Sequence, residues 1–242
     1  MLDINIKCKK YENTSIIQDL SLQIQKNDFL SIVGPSGCGK TTLLQIISTL
    51  DKSFEGEVLF NKRELDELNI GFMFQDSRLI PWLSIYENIL LVSKSKDEEE
   101  IIDALIEVGL EDYIESYPKE LSGGMKRKVA LVRAFINKPK ILLLDEPFIS
   151  LDHPTAQALR EELLKFYKKY KPTVIFVTHN LKEAISLSSR IVFLDKKPMK
   201  IIYEYKIEKD LFYNLEDPNI DKVKEKLLEK YPNILSGKID IN

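Results

Sequence analysis

The sequence predicts an α/β fold built around a parallel sheet, and three observations carry that prediction. Ile141–Leu144 is wholly apolar and Thr173–Thr178 nearly so, as expected of strands buried on both faces. Segments of helical periodicity alternate with these runs, which favours strand–helix–strand units. Phe29–Val33 leads directly into glycines, and helical character follows over Thr41–Leu50: strand, glycine-rich loop, helix.

The elements follow in chain order. Residues 2–8 alternate through Leu2, Ile4, Ile6 and Cys8, as an edge or hairpin strand would. Ser21–Gln25 and Phe29–Val33 read as further strands, and Val58–Phe60 and Gly71–Phe74 as short ones. From Pro81 to about Phe135 the pattern is helical. Ile101, Ile102, Leu105 and Val108 share one helical face within Asp97–Val108, and Val129, Ala130, Val132, Ala134 and Phe135 repeat the pattern in Lys126–Phe135. Thr155–Tyr170 reads as an amphipathic helix, Leu181–Ser188 as another, and Ile191–Leu194 as a strand. In Asp217–Tyr231, Ile220, Val223, Leu227 and Leu228 line one face among Lys and Glu, which predicts a C-terminal helix docked on the body.

Composition narrows the function. The 242 residues suit one globular domain, with room for a subdomain. Lys and Arg number 35 against 38 Asp and Glu, a net charge of -3. That balance speaks against nucleic acid as the main partner, which calls for a basic surface. Two cysteines, Cys8 and Cys38, make no disulfide framework, so a reducing cytoplasm is expected. Asp3, Lys7, Lys9 and Lys10 interrupt any signal-peptide pattern. No apolar run approaches the roughly 18 residues that a membrane helix needs, so a membrane role is expected only through a partner.

Gly34-Pro35-Ser36-Gly37-Cys38-Gly39-Lys40-Thr41 fits the phosphate-loop pattern G-x-x-x-x-G-K-[ST]. Its glycines let backbone N–H groups converge on phosphate oxygens, and the following helix adds its positive end. Lys40 is placed to reach the β- and γ-phosphates, and the Thr41 hydroxyl to hold Mg²⁺. Cys38 admits two readings: a reactive thiol at a helix N-terminus, or a small residue at a tolerant position, which is favoured. Asp145-Glu146 ends the Ile141–Leu144 strand, and ligands bind at the carboxyl ends of strands in open α/β sheets. Asp145 is expected to hold Mg²⁺ through water, and Glu146 to act as general base toward the attacking water. His179 ends another apolar strand. A parallel neighbour would put its imidazole near the γ-phosphate as a hydrogen-bond donor; His153 has no such placement. Between the loop and the carboxylates lies Leu121-Ser122-Gly123-Gly124-Met125. Alone this is a loop or helix start; in this setting it implies two half-sites, completed only by a second copy.

Together these motifs resemble the ATP-binding subunit of ABC transporters, over residues 1 to about 205. Gly34–Thr42, including Thr42, is similar to Walker A, and Leu142–Glu146 to Walker B. Gln75 is similar to the Q-loop glutamine, Leu121–Met125 to the ABC signature, and Ser150-Leu151-Asp152 to the D-loop. His179 is similar to the switch histidine. Tyr11, 40 − 11 = 29 residues before Lys40, falls where the family's adenine-stacking aromatic occurs; simple strand packing is its alternative role. The resemblance implies a P-loop NTPase (RecA-like) core with a mixed sheet, an N-terminal antiparallel β subdomain and an α-helical signature subdomain. It places the ATPase domain at 1–205, with the helical subdomain at about 76–135 and a C-terminal helical extension at 206–242.

The same resemblance implies ATP and Mg²⁺, catalytic roles for Glu146, His179 and Gln75, and metal contacts from Thr41, Gln75 and Asp145. Two copies would sandwich two ATP molecules head-to-tail. Ser122, Gly123, Gly124 and Asp152 of one copy would then face the nucleotide on the other's phosphate loop. Partners would be a transmembrane permease and, indirectly, an extracytoplasmic solute-binding protein, with the chain on the cytoplasmic face of the membrane. Within the family, Gln75–Leu83, the Met125-type signature followed by Asp145-Glu146-Pro147-Phe148, and the short C-terminal helix resemble the nitrate/sulfonate/taurine-type importers, a group that includes carriers of thiamine-precursor pyrimidines. Residues 76–90, with Leu79, Ile80, Trp82 and Tyr86, would receive the permease's coupling helix or else form subdomain core. The chain departs from the family pattern at Met125, at Lys126-Arg127-Lys128, at Asn180 and at Asn27. The alternative is an ABC ATPase without a transporter, which usually carries two cassettes, long insertions or basic arms. A P-loop kinase or GTPase would leave Leu121–Met125 unexplained.

Overall fold

A computed structural model describes residues 1–65, 69–207 and 214–239. The strands and helices run β1 (Leu2–Tyr11), β2 (Thr14–Ile24), β3 (Phe29–Val33), α1 (Lys40–Ile47), β4 (Glu55–Phe60), β5 (Arg63–Glu64), β6 (Ile70–Met73), α2 (Ile85–Leu90), α3 (Glu98–Glu107), α4 (Gly123–Phe135), β7 (Ile141–Asp145), α5 (His153–Tyr170), β8 (Thr173–Val177), α6 (Leu181–Leu187), β9 (Arg190–Leu194), β10 (Ile201–Lys206) and α7 (Pro218–Lys230). They fall into two compact units, residues 1–67 with 173–242, and residues 68–172.

The first unit holds an antiparallel sheet in the order β2-β1-β4-β5. β1 and β2 form a hairpin, from Leu2 opposite Ile24 to Tyr11 opposite Thr14. β1 also pairs with β4, so it is an interior strand rather than an edge. β2 begins at Thr14, seven residues earlier than the pattern suggests. Asp19 adopts φ 50° and breaks the alternation, so Ile16 and Ile17 are both buried ahead of the regular Leu20, Leu22 and Ile24.

The unit's second sheet is mixed. β9, β3 and β8 are parallel neighbours, and β10 runs antiparallel on β9. Every residue of β3 and β8 is buried, which is why these strands are apolar throughout. β10 was not expected from the sequence: its residues are half-buried or exposed, without a clean apolar face. Asn27, where a turn glycine is common, adopts φ 60°, a conformation Asn tolerates, and its N–H donates to Thr173 Oγ1 at 3.0 Å.

α7 docks as its amphipathic pattern predicts. Ile220 and Leu227 are buried in a cluster with Val33, Leu181, Ile185 and Phe193. Lys182 also meets Asp221 at 2.7 Å, but both side chains are more than a third exposed. Such a pair contributes about 0–1 kcal/mol, whereas each buried aliphatic side chain contributes about 1.5–3 kcal/mol. The apolar face therefore holds the helix. Of the extension expected at 206–242, residues 208–213 and 240–242 lie outside the described residues.

The second unit contains the parallel pair β6–β7, registered from Ile70 opposite Ile141 to Met73 opposite Leu144. α4 packs on β6 and on α2, α3 and α5. Phe135 of α4 stacks on Phe166 of α5 at 5.0 Å. α4 approaches β6 so closely that a Cβ on Gly71 would lie 2.2 Å from the Ala134 carbonyl oxygen. α2 opens on a capping box, with Glu87 N–H donating to Ser84 Oγ and Ser84 N–H to Glu87 Oε2. The buried Asn88 pins the preceding loop, accepting from Ile80 N–H at 2.7 Å and donating to the Leu83 and Ser84 carbonyls. Among the described residues, no helix is long and apolar enough to cross a membrane.

Candidate functional site

In the first unit the phosphate loop leaves the end of the buried strand β3. Gly37 and Gly39 adopt φ 73° and 113°, where only glycine is unstrained. Gly39 is also the N-cap of α1, and a Cβ there would lie 2.7 Å from Ile16 Cγ2. With no side chain to cap it and no acid in its first turn, α1 presents a positive helix end toward the loop. Lys40 is only 7% exposed, and its ammonium donates to the Gly34 and Pro35 carbonyls at 2.8 and 3.0 Å. Ser36, Gly37 and Thr41 are exposed along the rim, and Thr42 is half-buried. Cys38 is buried, and burial pushes its thiol up in spite of the nearby Lys40 charge. That is the environment of a packed small residue, not of a reactive thiolate.

The glycine requirement is testable. Gly39→Ala meets both a left-handed backbone and a steric overlap, so it should lower stability by about 1–3 kcal/mol. It should also abolish ATP binding measured by calorimetry. Wild-type affinity in this variant would show that the loop geometry is not needed.

Tyr11 ends β1. Its hydroxyl donates to Asp51 Oδ2 at 3.0 Å, and the Lys9 ammonium lies 4.5 Å from its ring centroid. Lys9 itself is buried and pairs with Asp51 at 2.7 Å. Burial pushes the Asp51 carboxyl up, but Lys9, the Ser53 N–H and the Tyr11 hydroxyl outweigh it and hold the group below its usual value. The Tyr11 ring is thus fixed in orientation while 46% exposed, so it does not serve as strand core.

His179 follows β8, the parallel neighbour of β3. Ile32 pairs with Val177, and Thr178 N–H donates to the Ile32 carbonyl at 3.3 Å. The histidine and the phosphate loop therefore leave adjacent strands at the same sheet edge. The turn carrying exposed His179 is held from both sides. Thr178 Oγ1 donates to Glu183 Oε2 at 2.7 Å, and Asn180 caps α6 by accepting from Lys182 N–H at 3.0 Å. The Asn180 amide also donates to Glu183 Oε1 at 3.3 Å. An aspartate could cap equally well but would oppose Glu183, which accounts for Asn at this position.

In the second unit the carboxylates leave β7 beside the Gln75 segment, which leaves β6. Asp145 is 3% exposed; Glu146 is half-buried and adopts φ 46°, uncommon for a residue with a Cβ. Such strain, roughly 1–3 kcal/mol, clusters at functional sites. Asp152 occupies the N-cap position of α5 without capping it through its side chain. Gln75 is exposed. The backbone around it is gripped by α4: Arg127 donates to the Phe74 carbonyl at 3.1 Å, and Arg133 to the Ser77 and Arg78 carbonyls at 2.6 and 2.8 Å. The Arg78 guanidinium lies 4.0 Å from the Phe74 ring centroid, and Phe74 stacks on Phe72. These arginine contacts were not foreseen from sequence; Arg127 stood out only as a departure.

Ser122 is the N-cap of the 13-residue helix α4, its Oγ accepting from Met125 N–H at 3.2 Å. The two glycines that follow differ. A Cβ on Gly124 would lie 2.4 Å from Thr155 Cγ2, so packing within the unit excludes one. A Cβ on Gly123 would meet nothing within 4 Å among the described residues. Lys128 reaches the Val108 carbonyl at 2.7 Å, which satisfies the end of α3. Trp82 is 74% exposed, while Ser84, Ile85, Asn88 and Ile89 are buried: the 76–90 segment is core in its second half and surface at its tryptophan.

A phosphate loop on a mixed sheet, with an acidic strand end and a serine-glycine helix start, defines an ATP-hydrolysing cassette of the P-loop NTPase fold. Residues 17–149 match the ABC transporter family. An aliphatic sulfonates import ATP-binding protein of Bacillus cereus is 41% identical over 230 residues, covering 92% of this chain and 91% of that protein. The protein of the same name from Bacillus subtilis is 38% identical over 237 residues, covering 94% and 93%. A solved dimeric ATP-binding cassette in a post-hydrolysis state, bound to ADP and Pi, is 31% identical with a TM-score of 0.74, covering 87% of this chain and 100% of that one. The chain belongs to the ABC transporter family, as an ATP-binding and ATP-hydrolysing subunit. Nothing in these likenesses favours a non-transport ATPase.

The family uses ATP with Mg²⁺, and the residues fit both. The loop offers a cradle of N–H groups and one buried ammonium for a triphosphate. No group of three or more His, Cys, Asp or Glu among the described residues could hold a metal alone. Mg²⁺ is usually bound by a few oxygen donors of the protein together with substrate phosphates and water. Thr41 at the rim of the loop, and Gln75 and Asp145 in the second unit, are oxygen donors of that kind.

Proposed function

We propose that the chain powers import of a small sulfonate-type solute through a separate permease, by ATP-dependent closure of two copies. The observation that carries the two-copy reading is the pair Ser122–Gly123. Both are exposed at the start of a long helix, and none of the described residues lies close enough to require Gly123 to lack a side chain. Close approach of a phosphate held by another copy supplies the missing reason. Each ATP would lie on the Gly34–Thr42 loop of one copy, with Tyr11 against its adenine, and face Ser122, Gly123, Gly124 and Asp152 of the other. Asp145, Thr41 and Gln75 would hold Mg²⁺. Glu146 would take a proton from the attacking water, and His179 would donate a hydrogen bond to the γ-phosphate. Loss of that phosphate would remove the bridge between the copies and let them part.

The exposed Trp82 fits the docking surface for a permease, through which the chain would sit on the cytoplasmic face of the membrane. A solute-binding protein outside would deliver the solute. The relatives, named for import of aliphatic sulfonates, favour sulfonates over nitrate or thiamine-precursor pyrimidines. The test is ATP turnover by the chain reconstituted with its membrane subunit and solute-binding protein, supplied with each solute class in turn. Stimulation by short alkanesulfonates alone is the expected result; stimulation by a thiamine-precursor pyrimidine, with none by sulfonates, would overturn the assignment.

A further inference from the structure

We infer that Arg127 is a positioning residue for Gln75, acting through the Phe74 carbonyl; the inference rests on the role proposed above for Gln75. Arg127 lies in the second turn of α4 and is 8% exposed. Burial holds its guanidinium below its usual pKa, and the carboxylate of Asp76 acts in the opposite direction. A buried cation is kept only where hydrogen bonds and nearby negative charge compensate for lost hydration. Here the hydrogen bond is to the main-chain oxygen immediately before Gln75, 53 positions away in sequence.

The second anchor defines what the first can do. Arg133, on the same helix, holds the Ser77 and Arg78 carbonyls. Gln75 and Asp76 thus span two fixed points, both belonging to the helix that begins at Ser122. The Phe74–Gln75 peptide plane sets the direction in which the Gln75 side chain leaves the backbone. Removing the Arg127 contact frees that plane while Arg133 keeps the rest of the loop in place. Met would preserve the apolar stem of Arg127 without its donors, and Lys would retain a single point donor instead of the guanidinium fork.

The experiment compares Arg127→Met, Arg127→Lys, Gln75→Ala and the double variant Gln75→Ala/Arg127→Met in the full chain. Readouts are melting temperature, ATP affinity without Mg²⁺, kcat, and the Mg²⁺ concentration giving half-maximal turnover. Arg127→Met should keep ATP affinity, lower kcat by about 10–100-fold and raise the Mg²⁺ requirement, the scale usual when support for a metal-binding group is lost. Arg127→Lys should recover part of both, and it carries the comparison if the Met variant does not fold. The double variant should be no worse than Gln75→Ala, because both changes disable one contact. Multiplying effects would show a merely structural role and overturn the inference. A changed Gln75→Ala beside an unchanged Arg127→Met removes this inference alone. An unchanged Gln75→Ala removes the Gln75 reading and this inference with it.

Discussion

Glu146→Gln should bind ATP with near wild-type affinity, lower turnover by roughly 10²–10⁴-fold, the usual contribution of a general base, and accumulate an ATP-bound dimer. The substitution preserves the shape of the side chain, so the left-handed turn after the buried Asp145 has no new reason to move. It removes only the charge and basicity, because a neutral amide does not accept the proton of an attacking water. In the mechanism proposed above, binding lies with the phosphate loop and Lys40, which the change does not touch, and closure depends on the intact γ-phosphate, so blocking hydrolysis should trap the closed state. Single-turnover hydrolysis and size-exclusion chromatography with ATP measure the two effects. Turnover near wild type would falsify the general-base role, and slow turnover without dimer would separate closure from the γ-phosphate.

Ser122→Arg should lose ATP-dependent dimerisation and steady-state turnover while leaving ATP binding to the monomer intact. Two contributions must be separated. Loss of the serine cap costs α4 about 0.5–2 kcal/mol, which a thermal melt reports. The new cation stands at an already positive helix end and fills the space beside Gly123, where a Cβ would meet none of the described residues within 4 Å. Ser122→Ala loses the cap without adding bulk or charge, so it should share the melting shift and keep dimerisation. If Ser122→Arg hydrolyses ATP normally, the serine-glycine helix start does not complete a second copy's site.

What was legible in the sequence is what chemistry writes in consecutive residues. The phosphate loop is eight residues in a row because backbone N–H groups must converge on one anion. The carboxylates follow four aliphatics because strand and active edge are continuous, and the C-terminal helix showed its docking face by spacing alone. The start of β2 was hidden by Asp19, whose left-handed backbone shifts the alternation by one position. β10 was hidden because an edge strand without a buried face has no apolar pattern. The roles of Arg127 and Arg133 could not be read at all: both donate to main-chain carbonyls, which every residue possesses, at separations of 53 to 56 positions. Gly123 and Gly124 are identical letters, and only their surroundings separate one excluded by packing from one open to a partner.

The placement of β3 has a consequence for biosynthesis. Its two sheet neighbours, β8 and β9, occupy residues 173–177 and 190–194, and the cluster under Val33 is completed by Ile220, Leu227 and Ile234. While the chain emerges from the ribosome, β3 waits without its sheet neighbours until residues 173–194 have followed it. Residues 68–172 meanwhile form a continuous unit that can condense first. Competence to hold nucleotide is therefore gained only once residues 173–194 have been made, and a chain stalled before them exposes β3, an apolar strand with both edges unpaired, to aggregation.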